Sequence, residues 1–170
     1  ASFVGNDFTL EAMCAVTGIE EDKLLELMDK MLKTGLIKER EIRGEGVCSF
    51  ADILVRDVVY EEVSLLKRKK LHGVVGSALE KVYADNIDEH FGELASHFLE
   101  SGDKAKALDY FLEAGEKAQK VYAHNEAFSY LQHALTLLEE KEDVIEQKAR
   151  IAEKLGDIKG YIGETEARIG

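Results

Sequence analysis

The residues of this chain that are equipped for chemistry are few and scattered. His90, Glu93 and His97 recur at helical spacing, a pattern from which metal sites are built. The two imidazoles are seven residues apart, about 10 Å along a helix at ~1.5 Å per residue. A single zinc needs ligand bonds near ~2 Å, so the trio reads as a polar helix flank. His124 and His133 are nine apart and fall on opposite faces. Gly44-Glu45-Gly46 lacks the third glycine and following helix of a dinucleotide loop, and no G-x4-GK[ST] phosphate loop occurs. Gly73-x2-Gly76 beside Lys69 and Lys70 imitates the GxxG loop of single-strand binders. It lies within 71–79, which reads as helix, where paired glycines serve close helix approach. No nucleophile and base are paired, so no catalytic, cofactor-binding or metal-ligating residue is expected.

Charge narrows the field further. The net charge of −12 and a pI near 4.9 oppose binding to nucleic acid or to an anionic membrane. Lys67-Arg68-Lys69-Lys70 is the basic cluster of the chain. It reads either as the solvated start of a helix after Ser64-Leu65-Leu66 or as a docking patch for an acidic surface. Cys14 and Cys48 lie far apart in apolar settings without a cysteine framework. Both are expected to be reduced and partly buried in a cytoplasmic protein. No stretch approaches the ~18 apolar residues of a membrane span. The start at Ala1 and the end at Gly170 read as cuts through something longer.

The elements that must position these residues fall into two regions. Thr9 caps a short helix to about Val16 that ends at Thr17-Gly18. A second helix from about Glu20 carries Leu24, Leu27, Met28, Met31 and Leu32 on one face, and Gly35 follows its end. Leu36-Ile37-Lys38-Glu39 and Val47-Cys48-Ser49-Phe50 read as short strands around the turn Arg43-Gly44-Glu45-Gly46. Helix, turn, helix and hairpin in this order outline a winged helix whose first helix precedes residue 1. Its second helix sets Glu20, Glu21, Asp22, Glu26 and Asp29 against Lys23, Lys30 and Lys33, most acidic at the end that would reach DNA. Acidic side chains there suit the helix dipole instead.

The rest is helical: 53–64, 67–83, 89–100, 104–121, 124–139, 142–159 and 164 onward. Chain-wide absence of proline and abundant Ala, Leu, Glu and Lys agree. The clearest pattern is Ala107-x3-Phe111-x2-Ala114, then Ala127-x3-Leu131-x2-Ala134. Each unit places two alanines and one large apolar residue on a single helix face. The alanines admit a neighbouring helix and the large residue fills the gap. The units lie in successive helices, so they are facing halves of one interface. Short connectors, Ser101-Gly102-Asp103, Tyr122-Ala123, Glu140-Lys141 and Tyr161-Ile162-Gly163, make the helices antiparallel neighbours in a solenoid. Its concave groove would be lined by Asp109, Leu112, Glu116, Gln119 and Lys120, either for a protein or peptide or for solvent alone. Tyr122 and Asn125 fix the turn.

Leu94-Ala95-x2-Phe98-x3-Gly102-Asp103-x3-Ala107 and Leu155-Gly156-Asp157-x5-Gly163 resemble tetratricopeptide (TPR) repeats. The repeat frame is open: 104–121 serves as the second helix after 89–100, or Ala114-Gly115 begins a pair with 124–139. Phe50-Ala51-Asp52-Ile53-Leu54-Val55-Arg56-Asp57-Val58-Val59-Tyr60, then Arg68-Lys69-Lys70-Leu71-His72, resembles the end of the winged helix in STAND-type signalling ATPases. LuxR-type transcription activators and cyclase-linked ATPase modules are relatives of that kind. Phe3-x-Gly5-x-x-Phe8 and Ala15-Val16-Thr17-Gly18 fit the same pattern. The family often has a His where Asp52 stands, and in some relatives it touches the nucleotide's phosphate. An anionic Asp there would repel phosphate, so that role is not transferred.

The expected fold is mainly α, with an incomplete winged helix (1–65), a connecting helix and loop (66–88) and TPR-like repeats (89–170). The resemblance implies a non-catalytic regulatory and interaction segment of a signal-transduction ATPase or transcriptional regulator. ATP would belong to an upstream nucleotide-binding domain, which is one expected partner, and no cofactor to this segment. A DNA-binding winged-helix regulator is the alternative.

Overall fold

A computed structural model describes residues 7–42, 44–139 and 145–169 of the chain. It divides into two compact units, Ala1–Asp85 and Asn86–Gly170.

In the first unit β1 (Asp7–Thr9) leads into α1 (Leu10–Thr17). The Thr9 hydroxyl accepts from the Ala12 N–H at 3.2 Å, and Gly18 ends α1 in the left-handed conformation. Next come α2 (Glu21–Lys33), β2 (Ile37–Ile42), β3 (Glu45–Phe50), α3 (Ile53–Glu61) and α4 (Leu65–Val82). The strands form one antiparallel sheet of order β1-β3-β2, with Phe8 opposite Cys48 and Ile37 opposite Phe50. Both hairpin strands run further toward the turn than the sequence predicts. Glu45 and Gly46, expected in the turn, belong to β3, while Leu36 lies outside β2; Arg43 is outside the described residues. The strand β1 was not expected, since a three-residue Asp-Phe-Thr segment carries no alternation and exists by pairing with β3.

The core of this unit contains Phe8, Ala12, Met13, Leu24, Met28, Ile37, Val47 and Cys48, with Val75, Ala78 and Leu79 from α4. On α2 the buried stripe is narrower than expected: Leu24 and Met28 are buried, whereas Leu27 is 39% exposed. The 66–88 stretch, expected as a connector, contributes α4, which packs against α1 within this unit.

The second unit follows a 3-10 turn at Ile87–Glu89 with α5 (Phe91–Ser101), α6 (Lys104–Lys120), α7 (His124–Glu139) and α8 (Ile145–Ile169), each packed on the next. Ala107, Phe111 and Ala114 of α6 and Ala127, Leu131 and Ala134 of α7 are all buried, as the alanine pattern requires. The helices approach so closely that a Cβ on Gly115 would meet Leu131 Cγ at 2.8 Å. A Cβ on Gly92 of α5 would likewise meet Tyr130 Cζ of α7 at 2.8 Å.

One expectation is overturned here. Tyr161-Ile162-Gly163 does not connect two helices; α8 runs through it unbroken. A glycine in a helix costs only about 1 kcal/mol relative to alanine, and no proline or cap reinforces the break. The expected helix start at 142–144 lies outside the described residues.

Candidate functional site

The five groove residues all project from α6, and the structure separates them. Asp109 and Lys120 are exposed, and Leu112 is half-buried. Glu116 faces α8, where Lys154 Nζ donates to its Oε1 at 2.9 Å and holds the carboxyl below its ordinary range. Gln119 is half-buried and lines a cleft of about 330 Å³ with Tyr122, His124, Asp157, Ile158 and Tyr161.

This cleft is built at the end of α6. The Tyr122 N–H donates to the Gln119 carbonyl at 3.1 Å and the Ala123 N–H to the Ala118 carbonyl at 2.9 Å. That pair of bonds is the Schellman ending, which turns the chain sharply into α7. Tyr122 occupies its left-handed position with φ of 60°. The residue is 80% exposed, and its ring meets the His124 ring edge to face at 6.2 Å. His124 in turn stacks on Tyr161 at 5.3 Å, and its Nδ1 is buried with no hydrogen-bond partner among the described residues. Continuity of α8 places Asp157 and Tyr161 four residues apart, on one helical face. The expected break at Tyr161 concealed this arrangement. A tyrosine at the conformation reserved for glycine, between two helices with no glycine in the connector, was the available signal.

In the first unit the residues carrying the family resemblance have local tasks. The Asp52 carboxylate accepts from the Leu54 N–H at 2.8 Å and caps α3. This bond gives Asp52 a local structural task at the start of α3. Arg68 Nε donates to the Val63 carbonyl and its Nη2 to the Glu61 carbonyl, both at 2.6 Å. Its guanidinium lies 4.6 Å from the Tyr60 ring centroid, and Tyr60 Oη pairs with Nε2 of buried His72 at 2.9 Å. Of the expected patch, Arg68 therefore clamps the α3–α4 corner, while Lys67, Lys69 and Lys70 are exposed.

The first unit also exposes apolar side chains on α3 and at the start of α4. Every residue of α3 is exposed or half-buried, with Leu54 67% and Val58 57% exposed. Leu65 and Leu66, at the start of α4, are exposed as well.

The histidine trio does not form a site. His90 Nδ1 meets Glu93 Oε2 at 3.2 Å, whereas His97 is buried rather than on a polar flank. Among the described residues no group of three or more His, Cys, Asp or Glu is placed to hold a metal ion. Gly73 and Gly76 lie inside α4, as expected. Cys14 and Cys48 are both free thiols, and burial raises the Cys48 pKa. The first turn of α2 carries Glu21 and Asp22 and its last turn Lys30 and Lys33, complementing the helix dipole. Among the described residues, no helix is long and apolar enough to cross a membrane.

No protein-family model matches the chain, and neither a curated protein nor a solved structure does.

Proposed function

We propose that this chain is a non-catalytic regulatory and protein-interaction segment of a larger signal-transduction ATPase of the STAND type. The first unit plays the part of a winged helix and the second that of a TPR-like array. Support comes from the residue pattern at 50–60 and 68–72, and the observation that carries the reading is the apolar surface of α3. Ile53, Leu54, Val58 and Val59 of α3 are exposed, and so are Leu65 and Leu66 at the start of α4. Exposed large apolar side chains concentrated on two successive helices suit an interaction surface. Exposed Lys67, Lys69 and Lys70 follow Leu65 and Leu66 on α4, a combination suited to an acidic, partly apolar face of the upstream nucleotide-binding domain.

The test uses the intact parent protein. Leu54→Asp combined with Val58→Asp should release the segment from the nucleotide-binding domain and change ATP turnover at least several-fold. These side chains are exposed, so unfolding of the first unit is not expected, and circular dichroism checks this. Unchanged turnover and unchanged association would overturn the reading. DNA binding is not proposed, because the acidic first turn of α2 opposes phosphate contact.

A further inference from the structure

Among the described residues, three helix endings share one hydrogen-bond pattern. After α2, the Gly35 N–H donates to Leu32 and the Leu36 N–H to Met31, at 3.0 Å and 2.9 Å. After α5, Gly102 and Asp103 donate in the same way to Leu99 and Phe98, at 3.0 Å and 2.9 Å. After α6, Tyr122 and Ala123 do so to Gln119 and Ala118. The left-handed position is glycine in the first two, with φ of 71° and 89°, and tyrosine in the third, with φ of 60°. A side chain in that conformation is strained, and glycine relieves the strain without altering the motif. The tyrosine ring is largely in water, so core packing does not account for the choice. Backbone strain that packing does not require points to function at the strained residue.

The chain itself shows what a tyrosine–histidine pair of this geometry accommodates. Tyr60 and His72 meet edge to face at 5.8 Å, and the Arg68 guanidinium lies on the tyrosine ring. Tyr122 and His124 repeat that relation, with the tyrosine open to solvent and Asp157 lining the same cleft. A planar guanidinium stacks on an aromatic face and also forks onto a carboxylate, a combination that an ammonium matches poorly. The second unit carries 18 Asp and Glu against 10 Lys and Arg, which favours a cationic visitor. The cleft's volume of about 330 Å³ is ample for an arginine side chain.

We propose that the cleft between the end of α6 and α8 receives an arginine side chain of a partner polypeptide, stacked on Tyr122 and paired with the Asp157 carboxylate. Gln119 and Ile158 border the alkyl stem. This rests on the reading of the chain as an interaction segment, but it concerns a different surface from α3. The test below uses this chain alone, so its failure is distinct from failure of docking through α3.

The probe is a short Gly/Ser peptide with one central arginine, titrated against the chain while the ring resonances of Tyr122 and Tyr161 are followed by NMR. Saturable shifts are expected, with at least tenfold weaker binding when the arginine is replaced by neutral, nearly isosteric citrulline. Asp157→Asn and Tyr122→Gly should each weaken binding at least fivefold, while Tyr122→Gly leaves the melting temperature unchanged or raises it. Tyr122→Asn, which tolerates the left-handed conformation, should lose binding in the same way. Equal affinity for the citrulline peptide, preference for a lysine peptide, or full binding by the Tyr122 variants would overturn the proposal. Tighter binding of free L-arginine than of the peptide would overturn the assignment to a partner polypeptide.

Discussion

Tyr60 with His72 in the first unit, and Tyr122 with His124 in the second, form edge-to-face pairs with interplanar angles of 70° and 75°. In the first pair His72 is buried, the tyrosine hydroxyl is bonded, and Arg68 both covers the ring and ties two backbone carbonyls. Arg68 thus ties the two helices α3 and α4 through backbone carbonyls and an aromatic face, so the cluster serves the fold. In the second pair the tyrosine is exposed and held in a strained backbone conformation. Its removal takes away strain and surface, but little packing. The same residue types thus serve architecture in one place and are available for recognition in another. The difference lies in burial and in what satisfies the polar atoms, not in residue identity.

The comparison fails if the stability of the second unit depends on its exposed aromatic cluster instead of on the α6–α7 seam. Phe111 is 3% exposed and stacks on His133 at 5.0 Å within that seam. Phe111→Ala should therefore cost about 3–5 kcal/mol, the range for emptying an aromatic core position. Ala114→Leu should cost about 1–3 kcal/mol by overpacking the same seam. Urea denaturation measures both. A loss below about 1 kcal/mol for Phe111→Ala would mean that the seam does not hold the unit together.

The next largest effect separates the two tyrosine clusters directly. Arg68→Ala should destabilise the first unit by about 2 kcal/mol, because it removes two charge-assisted hydrogen bonds and a cation–π contact. Tyr122→Gly should instead stabilise the second unit by about 1 kcal/mol, the strain of a left-handed non-glycine residue. Opposite signs in thermal unfolding are the expected result. A destabilising Tyr122→Gly would place that ring among the residues that serve the fold.

The success of sequence reading follows the same division between local and long-range causes. The caps at Thr9 and Gly18 depend on neighbours within a turn, and the α6–α7 seam announces itself through the local spacing of Ala107, Phe111, Ala127 and Leu131, so each could be read directly. The strand β1 could not, because it depends on β3, which lies far along the chain. The continuity of α8 was missed for a different reason. Tyr161-Ile162-Gly163 reads as a connector, but it holds neither a proline nor a cap that would end a helix. The site depends on that continuity, since a continuous helix carries Tyr161 to His124 and sets Asp157 on the same face. Of the five groove residues, Gln119 reached the cleft, and Glu116 went to an ion pair instead.

That ion pair supplies the smallest test. Lys154 donates to Glu116 and lowers its carboxyl pKa from an ordinary 4.5, with Lys120 adding a weaker pull. A carboxyl lowered in the folded state contributes stability above its unfolded pKa and loses it as pH falls through the folded value. Both side chains keep substantial exposure, 33% for Lys154 and 50% for Glu116, so screening holds the contribution to a few tenths of a kcal/mol. Glu116→Gln should therefore lower stability slightly at neutral pH and converge with the parent chain below about pH 4. Urea midpoints across that range measure the difference. A gap that persists in acid would show that Glu116 acts through packing rather than charge. The wall between α6 and α8 would then be apolar in origin, and Asp157 would stand alone as the charged group that recognises a cation there.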